Sequence, residues 1–385
     1  MVAAVRTPFG KFGGGLRTIP ATELGGHVIA EVLRRTATAG ADVDHVIMGN
    51  VISAGLGQVP ARQAALAAGL PYEVPAFTVN KVCASSLKAV NLAALMIRGG
   101  DADVVVAGGM ESMSRAPFLL DDLRFGARYG DSPAVDAILR DGLCCPVDSE
   151  QMGAHGDAVA AEFGVTRAEQ DAWALRSQQR YAAALNSGKF ATEILAITTD
   201  TGSVGADEQP RPVTTLQKLA TLPPVFGDAG TITAGNAPGI NDGASALLLM
   251  SAERAASAGL QPLGRIVASA DSAADHRYIA TVPATAIQAA LKKTGGEIDI
   301  ARLARVEINE AFAAVAITAT KLLEVDPEIV NVNGGAVAIG HPIGASGGRI
   351  LMTLLYELHR SGGGYGAAGI CSGLAQGEAT LVAVG

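Results

Sequence analysis

Four short stretches of this sequence carry residue types that can do chemistry. Val82-Cys83-Ala84-Ser85-Ser86 places a thiol where an apolar run gives way to a helical one. A sulfur at a helix N-terminus meets unpaired N–H groups and partial positive charge, which lowers its pKa and favours a nucleophilic thiolate. Those N–H groups can also hold a developing oxyanion. The other role open to such a cysteine is that of a small buried hydrophobe. His341 sits in Asn333 to Gly348, a stretch made largely of glycine and alanine, with Gly340 before it and Pro342 after it. Glycine permits close approach and positive φ, and proline fixes the turn, so the loop reads either as a ligand channel or as a tight structural turn. Gly369-Ile-Cys371-Ser-Gly373 ends an apolar strand with a second thiol. Asn309-Glu310 follows the apolar run Val306 to Ile308, a position that suits either a site residue or a helix cap.

The elements that must position these groups alternate. Short Val/Ile-rich runs (45–48, 103–106, 246–250, 305–308 and 380–384) read as buried strands, and alanine-rich stretches (22–36, 86–98, 167–187, 284–294 and 345–360) read as helices. This is an α/β pattern. From about 112 to 228 the chain is richer in Arg, Asp, Gln and Pro and reads as a mostly helical insertion. Its longest helix opens with a capping box, Thr166 and Glu169. The flanking parts form a weak repeat. Phe77–Asn80, the Cys83 loop, a helix and a strand at 103–107 match Ile329–Asn333, the His341 loop, a helix and a strand at 367–371. Two such halves packed face to face would bring Cys83 and His341 together.

Composition narrows the function classes. The chain has 385 residues, 49% hydrophobic and 17% charged, with 47 glycines, so small-residue packing matters more than aromatic filling. A net charge of −8 leaves no basic footprint for nucleic acid. No uninterrupted apolar run reaches the ~18 residues of a membrane span. Cys83, Cys144, Cys145 and Cys371 read as reduced thiols of a cytoplasmic protein. The vicinal pair Cys144-Cys145 lacks neighbours for a metal or redox role, and His27, His45, His155, His276 and His359 show no ligand spacing.

Read in order, Ala4–Lys11, Val79–Ser86, Gly108–Ser114, Asn309–Ala313, Asn331–Gly347 and Cys371–Gly373 resemble the motifs of the thiolase family, the acyl-CoA acetyltransferases, along nearly the whole chain. The resemblance implies an α/β fold of two βαβαβαββ halves related by a pseudo-twofold, stacked in five αβαβα layers, with an inserted loop domain. The N-terminal half is then 1–112 with 229–258, the CoA-binding loop domain 113–228, and the C-terminal half 259–385. Cys83 is implied as the acetylated nucleophile, His341 as its base and Cys371 as the second acid/base. His341 and a water held by Asn309 would form one oxyanion hole, and the N–H groups of Cys83 and Gly373 the other. Arg211 would lie near the CoA adenine, and Met152, Phe226, Ala234 and Phe312 would line the pantetheine and acyl pocket.

The implied activity is the reversible, ping-pong Claisen condensation of two acetyl-CoA to acetoacetyl-CoA and CoA. CoA thioesters are substrates, with no permanently bound cofactor and no metal in the mechanism, and the assembly is a homodimer or homotetramer. A degradative 3-ketoacyl-CoA thiolase of broader chain length is the alternative, and a non-catalytic acyl-CoA-binding subunit a more distant one. Departures from the family pattern fall on ligand contacts: Pro238 for a serine, Gln151 for a histidine, Leu374-Ala-Gln-Gly377 for a glycine-rich run, and 279–283 for a Gly-Pro-rich segment. The chain also begins a few residues inside the family's first strand. The near-bare surroundings of His341 are expected to leave room for a thioester and a slender pantetheine arm.

Overall fold

The computed structural model describes residues 1–200 and 202–385. Strands β1 (Ala3–Arg6), β2 (His45–Gly49), β3 (Ala76–Val79), β4 (Val104–Ser112) and β5 (Asn241–Met250) form one sheet in the order β1-β5-β4-β2-β3, with a two-residue strand Gly10–Lys11 beside β5. The β1/β5 and β5/β4 pairs are antiparallel, and β4/β2 and β2/β3 are parallel. In the second sheet, β6 (Arg265–Ala273), β7 (Leu303–Ile308), β8 (Gly364–Ser372) and β9 (Gln376–Val384) lie in the order β6-β9-β8-β7, again antiparallel, antiparallel, parallel. A parallel bridge from Val306 to Val330 supplies the fifth position. Strand order and direction therefore repeat between the halves, as the weak sequence repeat requires.

Helices complete the layers. α1 (Ala21–Thr36) and α2 (Pro60–Ala67) cover the outer face of the first sheet, and α3 (Ser85–Gly99) packs on its inner face. The insertion contributes α4 (Met152–Glu162) and α5 (Arg167–Asn186), the latter opened by the expected capping box at Thr166 and Glu169. α6 (Val282–Lys292) and α7 (Ala313–Leu323) cover the outer face of the second sheet, and α8 (Ser346–Arg360) lies beside α3 between the sheets. Leu87, Val90 and Ala93 of α3 and Ile350, Leu351, Leu354 and Leu355 of α8 share one core with residues of both sheets. Each fully buried leucine contributes roughly 2 kcal/mol, so this helical layer is the main apolar tie between halves. Val82–Gly99 has the length and hydropathy of a membrane span, and its position between two sheets accounts for that apolarity.

Two expectations need correction. The strands β4, β5 and β9 outrun the apolar stretches that announce them, because buried polar residues such as Glu111 and Asp242 find partners and let the ladder continue. In contrast, Ile329–Asn333 is not a strand. Asn331 turns to φ 49° and, beyond its own N–H bond to Val306 O, continues the pairing with its side-chain amide, accepting from Ile308 N–H and donating to Ile308 O at 2.8 Å each. An asparagine tolerates this left-handed conformation better than the apolar residues around it.

Candidate active site

Cys83 sits in a strained turn between β3 and α3. Val82, a β-branched residue, has φ 42°, an outlier that persists only where its surroundings hold it. Two side chains do so. Asn80 Oδ1 accepts from Val82 N–H at 3.0 Å, while Ser85 Oγ accepts from Lys81 N–H at 2.8 Å and donates to Val82 O at 2.6 Å. The turn is also fastened to the second half, through Ser372 Oγ donating to Lys81 O and Lys81 Nζ meeting Glu378 at 2.7 Å.

His341 enters from the loop before α8. Its backbone N–H donates to Asn241 Oδ1 at 2.9 Å, and its Nδ1 lies 2.6 Å from Ser346 Oγ. Ser346 donates its own hydroxyl proton to Pro342 O at 2.9 Å, so the network assigns the ring proton to Nδ1 and leaves Nε2 as the acceptor. Asn309 Nδ2 approaches that Nε2 at 3.4 Å, consistent with the same tautomer. Asn309 Oδ1 is buried without a protein partner among the described residues.

Both thiols and the imidazole are tuned by burial. Burial pushes the Cys83 thiol up to about 12, helped by the negative charge of Glu111. Cys371, 3% exposed at the end of β8, is also raised, by burial and by the neighbouring Cys83. His341 is lowered to about 3 by burial and the positive charge of Arg349. This corrects the expectation that a helix N-terminus makes Cys83 a resting thiolate. Desolvation outweighs the helix effect, and the first N–H groups beyond it are taken, Ala84 by Lys81 O and Ser85 by Val82 O. The resting set is a thiol facing a neutral imidazole.

Cys83, His341 and Gly373 face one cavity of about 360 Å³. Met152, Phe226, Ala234 and Phe312 line it, together with Gln151 and Pro238. Phe226 and Phe312 meet edge to face at 5.7 Å, closing one side. Asn309 and Cys371 are buried outside the lining, Asn309 against His341 and Cys371 close enough to Cys83 to feel its charge. Arg211 is exposed and off the wall, its guanidinium donating to Ala234 O at 3.1 Å.

The bare surroundings of His341 serve a different end from the one expected. Residues 333–355 are nearly all buried, and the glycines there meet protein. A Cβ on Gly347 would stand 2.6 Å from Leu87 N on α3, and Gly340 holds φ 108° against Asn241. These glycines let the two halves touch. Of the stretch, only His341 and Ile343 line the cavity.

Sequence reasoning passed over Glu111 and gave Glu310, beside Asn309, no more than the orienting of a neighbouring loop. Glu111, within the Gly108–Ser114 motif, accepts from Val51, Ile52 and Gly344 N–H and from Asn50, clamping the His341 loop to the first sheet; burial lifts its carboxyl to about 7. Glu310 accepts from Trp173, Ser177, Asn331 and Val337 N–H, joining α5 of the insertion to the same loop. A charged residue inside an otherwise small and apolar motif was the available signal for both. The view that Cys145 lacks partners is also overturned. His155 and His276, unrelated in sequence, meet Cys145 and Asp148 one helical turn beyond the cavity wall at Met152.

Comparison with known proteins agrees with this architecture. Residues 1–253 match the family model described as "Thiolase, N-terminal domain", and residues 260–384 match "Thiolase, C-terminal domain". The chain is 47% identical to the acetyl-CoA acetyltransferase of Pseudomonas aeruginosa, with 100% of this chain and 98% of the relative covered. It is 48% identical to one from Escherichia coli, covering 99% and 98%, and 46% identical to one from Schizosaccharomyces pombe, covering 97% and 95%. With the duplicated sheets, the set of Cys83, His341 and Cys371, and both family models spanning the chain, this protein belongs to the thiolase family.

Proposed function

We propose that the chain is an acetyl-CoA C-acetyltransferase that condenses two acetyl-CoA to acetoacetyl-CoA and CoA, and runs in reverse as thiolysis. The observation that carries this reading is the meeting of Cys83, His341 and Gly373 on one short apolar cavity, with Cys371 and Asn309 directly behind it. The full-length relatives named acetyl-CoA acetyltransferase support the choice of substrate.

His341 Nε2 takes the Cys83 S–H proton as the sulfur attacks the acetyl-CoA carbonyl. The C–S bond to CoA breaks, and the CoA sulfur leaves with the proton of Cys371, giving an acetyl thioester on Cys83 and a thiolate at Cys371. Cys371, as thiolate, then removes an α-proton from a second acetyl-CoA. The resulting enolate attacks the acetyl carbon, the C–S bond to Cys83 breaks as His341 returns the proton to that sulfur, and acetoacetyl-CoA departs. His341 and a water accepted by the unpartnered Asn309 Oδ1 hold the enolate oxygen, and the N–H groups of Cys83 and Gly373 hold the tetrahedral oxygen. Acyl-CoA and CoA enter past Arg211 and Ala234, along Phe226, Phe312 and Met152. The mechanism uses no metal and no resident cofactor. A homodimer or homotetramer in the cytoplasm accompanies this reading, and sizing and cell fractionation test it.

Mass spectrometry after incubation with acetyl-CoA tests the central step. One added acetyl group on the peptide containing Cys83 is expected, and its absence defeats the proposal. Rates of thiolysis on acetoacetyl-CoA and 3-ketodecanoyl-CoA test the substrate class; a strong preference for the longer substrate favours the degradative alternative.

A further inference from the structure

Cys145, Asp148, His155 and His276 bring one sulfur, one carboxylate oxygen and two imidazole nitrogens within 4.8 Å of one another. Asp148 Oδ2 lies 2.9 Å from His155 Nε2 and 3.1 Å from His276 Nε2, and the two rings stand edge to face with centroids 5.5 Å apart. In a tetrahedral zinc site with bonds of about 2.0 to 2.3 Å, ligand atoms stand about 3.3 to 3.8 Å apart. Adjustments of about 1 Å or less would bring these four atoms to that geometry.

The backbone around them is already shaped. Residues 145–150 form a closed loop, with Cys145 N–H donating to Glu150 O at 2.8 Å and Ser149 N–H to Cys145 O at 2.9 Å; a bridge between Cys144 and Gln151 anchors its base. Glu150 N–H donates to Asp148 Oδ1 at 3.1 Å, which turns Oδ2 to the imidazoles. His276 comes from the other half, after β6, with Asp275 Oδ1 3.5 Å from its Nδ1. A carboxylate behind an imidazole orients the opposite nitrogen and raises its basicity as a ligand. His155 is buried, 4% exposed, and its Nδ1 has no protein partner among the described residues. The Cys145 thiol also hydrogen-bonds to Asp148, so a sulfur and two imidazoles converge on one carboxylate.

We propose that Cys145, Asp148, His155 and His276 form a structural Zn²⁺ site that ties the inserted segment to the C-terminal half beside the acyl pocket. The donor set of thiolate, two imidazoles and carboxylate suits zinc, and four protein ligands close the site to catalysis. Binding displaces the Cys145 S–H proton to solvent. Thiolate and carboxylate then offset the 2+ charge, both imidazoles bind neutral, and no electron moves. The site is one helical turn from Met152 and Gly153 on α4, so its closure sets where that wall of the cavity stands. This inference stands apart from the acetyltransferase reading, since none of the four residues touches the reacting atoms.

The test is zinc titration of the full chain against a chromophoric chelator, in a Cys83→Ala background so that the pocket thiol does not compete, followed by Co²⁺ substitution. One zinc per chain is expected, with cobalt giving the intense visible bands of tetrahedral geometry and a thiolate charge-transfer band. Cys145→Ser should abolish the charge-transfer band, and His276→Ala, on a partly exposed loop, should weaken zinc by at least about tenfold. Zinc should also raise the melting temperature of the parent protein and leave that of His276→Ala unmoved. Less than about one zinc per ten chains, an octahedral cobalt spectrum, or equal zinc affinity in parent and both variants overturns the proposal.

Discussion

Ser346→Ala isolates the group that sets the tautomer of His341. The hydroxyl lies 2.6 Å from Nδ1, and both residues are buried. Removing it orphans a single donor, the Nδ1–H, because Pro342 O keeps the N–H groups of Ala345 and Ser346. An unsatisfied buried donor costs about 1 to 3 kcal/mol. The variant meets that cost in one of two ways. It keeps the tautomer and loses about that much stability, or it moves the proton to Nε2, where the base can no longer receive one from Cys83. In the second case acetylation slows by roughly 5- to 150-fold, since 1.36 kcal/mol is a factor of ten. Quenched single-turnover acetylation of Cys83 reads the rate, and urea unfolding reads the stability. Acetylation within about twofold of the parent, together with stability within about 0.5 kcal/mol, would refute the tautomer assignment.

Four further outcomes follow from the same geometry. Cys371→Ala should still acquire an acetyl group on Cys83 yet lose condensation by at least about 100-fold, the lower range for one acid/base group; mass spectrometry and acetoacetyl-CoA formation separate the steps, and equal loss of both contradicts the division of labour. With Cys83 held up to about 12, its thiolate fraction in the free enzyme rises about tenfold per pH unit throughout the neutral range, so iodoacetamide labelling should climb without a plateau; a plateau near pH 7 would mean a preformed thiolate. Likewise His341, lowered to about 3, is already neutral above about pH 5, so acetylation should show no acidic limb near its usual value of 6.5. Gly347→Ala, whose Cβ meets Leu87 backbone at 2.6 Å, should lose about 1 to 3 kcal/mol in urea unfolding; an unchanged midpoint would mean that the helices between the sheets can part.

The sequence alone determined which groups could react and which segments would be regular. Apolar runs and alanine-rich stretches located strands and helices to within a few residues, because burial on both faces and helix propensity are local properties written in residue type. The repeat around Cys83 and His341 anticipated the duplicated sheets, and the family motifs pointed to Met152, Phe226, Ala234 and Phe312 on the cavity wall. What residue type could not carry was the environment. The protonation of Cys83 and His341 depends on how much water the packed halves exclude, and that desolvation overrode the helix-end effect argued from position. The glycines beside His341 look like room for a ligand in one dimension, and in three they are contacts with Leu87, Asn241 and the first sheet. Cys145 and His276, 131 positions apart, become neighbours only because β6 returns beside the insertion, so a possible metal site was invisible to spacing. Long-range packing decides these features, since desolvation, close approach and ligand convergence are properties of surfaces brought together by the fold.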